Sequence, residues 1–425
     1  MLSIRVFYKN EEVGIVTQSV QNSNYYAFRY NPEFIKKGVE LCPILMPLKN
    51  ITYVFNNLDI NTFKGLPPLL IDSLPDKYGS ELLFAHQKIY GKSTLSSLEA
   101  LSYIGTRGMG ALEFFPEVEK IGMDENQIIE LDSLVDVANK VLNERESISY
   151  SFKNVQLREL ISVGSSIGGA RAKAIVAIDS NGNIKSGQIS GLKEYDYCII
   201  KFDGLGADLS EEKNITYYTR IEYAYYLMAV DCGISISQSS LLELNGKYHF
   251  KTRRFDRDVN GNRIHMLSLA GIAGFDYMKA GQHSYEEVAT ILSVLRCGID
   301  DMEQLFRRMV FNVVFRNNDD HVKNISFLMD DNGRYHLSPA YDLSYSYNPN
   351  GNWTKHHQMR INNKVDDIYR VDLVEAGKKM YISESKCNKI IDHILNVSKN
   401  FENYAIQAKL PINVSNKIKS DFIEL

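Results

Sequence analysis

Asp319 and Asn324 stand in the pattern D-x-x-x-x-N within Arg316-Asn317-Asn318-Asp319-Asp320-His321-Val322-Lys323-Asn324, and a second carboxylate, Asp342, follows 18 residues after the Asn. These are the residue types that phosphoryl transfer requires. One Asp orients and deprotonates an attacking hydroxyl, an amide holds a magnesium ion, and a later Asp holds magnesium against the phosphates. Magnesium favours hard oxygen ligands and keeps several waters, so one amide and one carboxylate from the protein suffice. By itself the loop also fits a polar turn followed by a strand end.

Residues upstream decide between the two. Phosphoryl transfer of this type needs a glycine-containing loop over the phosphates, a Lys on a strand, and an acid on a helix to hold that Lys. All three occur, in that order. Val163-Gly164-Ser165-Ser166-Ile167-Gly168-Gly169-Ala170-Arg171-Ala172-Lys173 leads into a β-branched run, Ala174 to Ile178. Glycines let backbone N–H groups approach an anion with no Cβ in the way. Gly169 is followed by Ala170 and Arg171 rather than by Lys and Ser/Thr, so this is not a Walker A loop. Tyr197 to Phe202 reads as a buried strand that projects Lys201, a charge costly there unless paired. Arg220 to Val230 is apolar nearly all round and reads as a buried helix carrying Glu222, the natural partner for Lys201. Five parts in sequence point to a kinase-type site.

Ser166 to Lys173, Arg254-Phe255-Asp256-Arg257, Asp319 to Ser326 and Tyr341-Asp342 together resemble the HipA family. So do Gly65-Leu66-Pro67-Pro68, Asp72 to Asp76 and Gly105 to Leu112, which look like the N-terminal subdomain of its full-length members. The resemblance covers most of the chain. It implies a serine/threonine kinase, the toxin half of a bacterial type II toxin–antitoxin pair, using ATP and Mg2+. Asp319 would be the catalytic base, and Asn324 and Asp342 the magnesium ligands. Ser166, Ile167, Gly168, Gly169, Ala170, Arg171 and Lys173 would form the phosphate loop, with Lys201 on the α- and β-phosphates. His321 and Lys323 would line the phosphate side of the cleft. Arg253, Arg254 and Phe255 would occupy the hinge beside the adenine, and Tyr341 would lie next to the nucleotide. Ser166 aligns with the serine that relatives autophosphorylate; Ser165 beside it is the second choice. A phosphate there adds nearly two negative charges to a loop meant for ATP phosphates, which favours its ejection and switches the kinase off.

The implied partners are a small helix-turn-helix antitoxin, operator DNA reached only through it, and a protein substrate such as an aminoacyl-tRNA synthetase. Two departures stand out. Asp320 replaces a Gly found in many members and places an extra carboxylate beside the base, free to bind a second cation or to face solvent. Arg253 stands where relatives can carry an acid, so adenine would be read there by backbone groups. The catalytic loop alone also suits a small-molecule phosphotransferase. A catalytically silent co-repressor is the other alternative, although it would not need Lys201, Asp319, Asn324 and Asp342 together.

The 425 residues are 44% hydrophobic, enough for a large core in two or more subdomains. A net charge of −4 gives no global drive toward nucleic acid or anionic membranes. The five cysteines are scattered, without a C-x-x-C pair, as expected of reduced thiols rather than a zinc site or disulfide framework. With no apolar run near the roughly 18 residues of a membrane span and no signal-peptide pattern, a soluble cytoplasmic protein is expected.

The elements that must position these residues read as α+β: a two-lobed, protein-kinase-like fold with a mixed α/β N-terminal part and a mainly helical C-terminal lobe. The division expected is 1–120 for the N-terminal subdomain, 121–250 for the phosphate-loop and Lys lobe, and 251–425 for the catalytic lobe. Strands are expected at Ile4 to Tyr8 and Tyr25 to Arg29, and helices over 80–103, with one opening at Lys92-Ser93-Thr94, and over 124–145. Asn181-Gly182, Asn245-Gly246 and Asn260-Gly261 are expected hairpin turns. Helices follow at 284–296, 301–316, 384–400 and 413–424. The catalytic loop lies between the helix ending at Arg316 and a strand pair, Ile325 to Met329 and Tyr335 to Leu337, whose acidic tip Asp330-Asp331-Asn332-Gly333 reads as a solvated turn.

Overall fold

The computed structural model describes residues 2–75, 79–80, 82–84, 95–117, 128–130, 135, 172–204 and 217–425. The chain forms two compact units, residues 1–209 with 251–267, and residues 210–250 with 268–425.

The first unit begins with an antiparallel sheet of order β4-β3-β2-β1-β5. Its strands are β1 (Ser3–Tyr8), β2 (Glu11–Gln18), β3 (Tyr26–Tyr30), β4 (Thr52–Tyr53) and β5 (Leu112–Phe115). Alternation sets its faces: Ile4, Val6 and Tyr8 are buried, while Arg5 between them is exposed. Ile4 pairs with Val16, and Val6 also pairs with Phe114, so β5 returns to lie beside the first strand. The helix Ser97–Ile104 packs against β1 and β5 and opens with a capping box between Ser96 and Glu99. Lys92 to Thr94 and most of 124–145 lie outside the described residues.

The same unit holds β6 (Lys173–Asp179), β7 (Ile184–Ser186) and β8 (Tyr195–Lys201), with β7 and β8 antiparallel to β6 on its two sides. Asn181-Gly182 makes the β6–β7 turn, Gly182 at φ +83°, where a side chain would be strained. Five successive residues of β6 are buried, the pattern of a strand covered on both faces.

In the second unit, the helix Tyr218–Asp231 precedes β9 (Ser239–Leu244), and Asn245-Gly246 turns the chain into β10 (Lys247–Arg253), whose last three residues belong to the first unit. The segment returning to the first unit ends in β11 (His265–Ser268). Helices then dominate: Tyr285–Val294, Ile299–Val314, Arg370–Lys379, Glu384–Ser398, Phe401–Gln407 and Ile412–Ser420, around the hairpin β12 (Ser326–Met329) and β13 (Tyr335–Leu337). The helix Ile299–Val314 buries Met302, Leu305, Phe306, Met309, Val310, Phe311, Val313 and Val314 and packs against Tyr285–Val294 and Glu384–Ser398. Each such side chain contributes about 1.5–3 kcal/mol on burial, so this helix is a rigid base for the loop that leaves it. No helix among the described residues is long and apolar enough to cross a membrane.

Candidate active site

The helix Ile299–Val314 ends at Phe315, and Arg316, at φ +56°, turns the chain away from its axis. The next two residues are buried amides that anchor the loop. Asn317 donates from its Nδ2 to Asn312 Oδ1 at 2.9 Å, back onto the helix. Asn318 Nδ2 donates to the Thr354 and Lys355 carbonyls at 3.2 and 3.3 Å. The Asp319 backbone N–H donates to Ser346 Oγ at 2.9 Å. The loop is therefore fixed on both flanks before Asp319 presents its side chain.

Asp319 Oδ1 accepts the indole N–H of Trp353 at 2.8 Å and lies 3.8 Å from His321 Nε2. The side chain is 41% exposed, so an incoming hydroxyl can reach it. Protein nonetheless crowds the carboxyl. That desolvation pushes its pKa up, the charges of Asp342 and Asp320 add to the rise, and His321 and Trp353 oppose it.

Asn324 closes a single 3-10 turn, Val322–Asn324, and its Nδ2 donates to the Asp319 carbonyl at 2.9 Å. Its amide nitrogen is thereby committed, and its oxygen is the atom left to face a cation. The β12–β13 hairpin then carries the chain to Asp342. Its tip is the solvated turn expected, with Asp330 Oδ1 accepting from the Asn332 and Arg334 backbones at 2.9 and 2.8 Å. Beyond it, the Ala340 N–H donates to the Ser235 carbonyl at 2.7 Å, and Asp342 takes a left-handed φ of +52°. Strained backbone of this kind persists where the surroundings over-determine it, often at functional sites. Tyr341 Oη donates to the Lys323 carbonyl at 2.7 Å, and Lys323 Nζ sits over the Tyr277 ring at 4.9 Å.

Asp320 does not face solvent, one of the two alternatives expected of it. It is 2% exposed and accepts from Gln358 N at 2.7 Å, Tyr285 Oη at 2.9 Å and His357 Nδ1 at 3.0 Å. Tyr285 Oη in turn accepts from Asn312 Nδ2 at 2.8 Å. Three donors and near-complete burial turn the carboxylate away from solvent, and it ties the loop to its surroundings.

The other expected residues distribute as follows. Asp319, His321, Lys323, Asn324, Tyr341 and Asp342 come together in the second unit, whose helix Tyr218–Asp231 also carries buried Glu222. In the first unit, Lys173 and Lys201 are directly paired across β6 and β8. Arg253 is exposed, with Nη2 3.8 Å from Asp196, and Phe255 is half-buried. The Arg254 side chain is buried and donates to Asp256 and the Gly187 carbonyl. Ser165, Ser166, Ile167, Gly168, Gly169, Ala170 and Arg171 lie outside the described residues. Sequence reasoning missed Trp353, whose one signal is that the chain's single tryptophan directly follows the polar run Asn348-Pro349-Asn350-Gly351-Asn352.

The arrangement offers a part-exposed carboxylate, one amide oxygen and a second carboxylate, all hard donors suited to magnesium. Residues 4–115 match the model of the HipA N-terminal domain, and residues 165–401, more than half the chain, match that of the HipA-like C-terminal domain. Over 135 residues, 29% of this chain, the sequence is 28% identical to a Haemophilus influenzae protein named "Putative kinase". Over the same length it is 29% identical to "Putative kinase Y4dM" of Sinorhizobium fredii. These alignments cover 39% and 32% of the two relatives, well under half of either. The structure superposes with a TM-score of 0.70 on a chain of the Shewanella oneidensis MR-1 "Toxin Antitoxin System HipA, HipB and its operator DNA complex", at 17% identity, covering 98% of this chain and 95% of that one. The fold is accordingly the α+β, kinase-like one that the sequence implied. The chain belongs to the HipA family.

Proposed function

We propose that this protein is a Mg-ATP-dependent kinase that transfers the γ-phosphoryl group to a Ser or Thr hydroxyl of a protein, and that it is the toxin of a toxin–antitoxin pair. The observation that carries the reading is the reachable carboxylate of Asp319, held on one loop with Asn324 and close enough to Asp342 for their charges to interact. Asp319 accepts the hydroxyl proton as the oxygen attacks phosphorus. Asn324 and Asp342 would hold Mg2+, which when bound neutralises charge on the phosphates.

Lys201 is the proposed contact to the α- and β-phosphates, and Lys173, directly opposite it across β6 and β8, ends the proposed phosphate loop. In this reading Ser166 to Lys173 cover the nucleotide phosphates, His321 and Lys323 border them, and Arg253 to Phe255 with Tyr341 flank the nucleotide. Ser166, or Ser165, is the autophosphorylated residue.

The toxin role rests on family membership and on the HipA–HipB–operator assembly whose fold this chain shares. A helix-turn-helix antitoxin is the proposed partner, with operator DNA contacted through it. An aminoacyl-tRNA synthetase is the proposed kind of substrate. Intact-mass measurement after incubation with Mg-ATP tests the activity. The wild type should gain one phosphate, mapped to Ser166 or Ser165, and Asp319→Ala should gain none. Nucleotide binding without transfer to any protein would favour a silent co-repressor, and absence of both would overturn the reading.

A further inference from the structure

We propose that Trp353 is the positioning residue of Asp319, fixing which carboxylate oxygen takes the substrate proton; this rests on Asp319 acting as base. The indole Nε1 donates to Oδ1 at 2.8 Å, and Oδ2 carries no protein hydrogen bond among the described residues. An indole N–H is a donor only. It occupies one of the two acceptor sites of Oδ1 and never accepts a proton, so Oδ2, which has no such donor, is the oxygen that takes the proton leaving the hydroxyl. The freed oxygen forms its bond to the γ-phosphorus as the bond to the β-phosphate oxygen breaks, and ADP leaves with that electron pair. Without the indole, the terminal torsion of an Asp is broad and its two oxygens exchange places.

The indole is a strut and not a movable plug, because the loop clamps both Trp353 and the residues after it. Asn318 Nδ2 holds the Thr354 and Lys355 carbonyls. Gln358 Nε2 donates to the Trp353 carbonyl at 2.5 Å, while Gln358 N donates to Asp320 Oδ1 at 2.7 Å. Three consecutive loop residues, 318 to 320, thus each bind the segment 353–358. Displacing the indole to admit a substrate would break this set, whereas leaving it in place keeps Oδ2 clear of protein hydrogen bonds among the described residues.

Trp353 is the chain's only tryptophan, so its emission reports this contact without any assay of transfer. Full-length wild type and Asp319→Ala are compared first, without nucleotide. A shifted emission maximum is expected, and identical spectra would overturn the contact. Trp353→Phe, which keeps a ring and loses the N–H, is then assayed for phosphate transfer. A positioned general base contributes about 10²–10⁴-fold, so kcat should fall about tenfold or more while KM for ATP stays within about twofold. An unchanged kcat would overturn the role, and a raised kcat would make Trp353 an autoinhibitory plug instead. Asn318→Ala, which releases the clamp, should show a smaller loss confined to kcat, and it decides the matter should Trp353→Phe fail to fold. Absence of transfer in the wild type would overturn the kinase reading and this role with it, a failure told apart from loss of the contact by the emission comparison.

Discussion

Asp256 and Gly110 lie 146 residues apart in sequence, yet the Gly110 N–H donates to Asp256 Oδ2 at 2.8 Å within the first unit. The same carboxylate takes Arg254 through Nε at 2.8 Å and Nη2 at 2.7 Å, and Arg257 Nη1 at 2.9 Å. All three side chains are buried. Removing one partner of a buried ion cluster leaves uncompensated charge and costs about 3–5 kcal/mol. Asp256→Ala should lower the unfolding free energy of the first unit by that amount, read as a lower urea midpoint, with Arg254 and Arg257 stranded. An unchanged midpoint would show that the cluster relaxes into solvent.

The same group fixes a pH dependence. Burial alone would raise the Asp256 pKa, but the two guanidinia outweigh it and hold the carboxyl well below its usual range. Burial and the Arg254 charge push Arg257 down to about 9. A carboxyl with a depressed folded pKa stabilises fully above its unfolded value, about 3.9, and loses that stabilisation as pH falls toward the folded value. The stability gap between wild type and Asp256→Asn should therefore be constant from pH 7 to 5 and narrow below about pH 4. Urea titrations at successive pH values read it directly; a gap that widens in acid contradicts the assignment.

Asp320 yields a prediction of a different kind. Asp320→Ala leaves Tyr285 Oη, His357 Nδ1 and Gln358 N without their acceptor. Unsatisfied buried groups cost about 1–3 kcal/mol each, and partial relaxation makes a total loss of about 2–4 kcal/mol reasonable. Because Asp320 adjoins the base and Gln358 holds Trp353, transfer should fall as well, even well below the melting temperature. A variant that melts early but keeps full activity at low temperature would separate the anchor from the catalytic loop.

Local features of the site were legible in the sequence, and its long-range contacts were not. D-x-x-x-x-N fits one turn, and Asn-Gly pairs announce positive φ, as Gly182, Gly246 and Gly261 adopt at +83°, +73° and +77°. The helix Ile299–Val314 shows in its apolar stripe. Trp353 meets Asp319 from 34 residues away through a segment with no periodicity, so nothing local marks the contact. The sequence left Asp320 open between a second cation and solvent because its three donors come from positions 285, 357 and 358. The helix Arg370–Lys379 escaped notice because Gly377 and the charges at Arg370, Asp372, Glu375, Lys378 and Lys379 hide its pattern.

Asp342 can be tested without disturbing its backbone. Its φ of +52° suits Asn, among the few non-Gly residues that visit the left-handed region, so Asp342→Asn should melt within about 2 °C of wild type. It loses the charge that would hold magnesium, worth several kcal/mol of transition-state stabilisation, so transfer should fall at least about a hundredfold. Raising Mg2+ should restore part of it. Full activity at low Mg2+ would remove Asp342 from the metal site.

Gly377 reverses an ordinary expectation. Gly→Ala inside a helix normally stabilises by about 1 kcal/mol through propensity alone. Here an added Cβ would overlap Cys387 Sγ and come within 2.7 Å of Phe306 Cε2. Phe306 belongs to the buried face of the helix that carries the catalytic loop, and Cys387 is buried opposite it. Neither can yield without moving the interface between Ile299–Val314 and Glu384–Ser398. Overpacking of this sort costs about 1–3 kcal/mol, which exceeds the propensity gain. Gly377→Ala should therefore lower the melting temperature, and Gly377→Ala combined with Cys387→Ala should recover part of the loss, since the second change opens the space the first one fills. A raised melting temperature in the single variant would mean that the two helices part easily, and that the base beneath Asp319 is softer than its packing indicates.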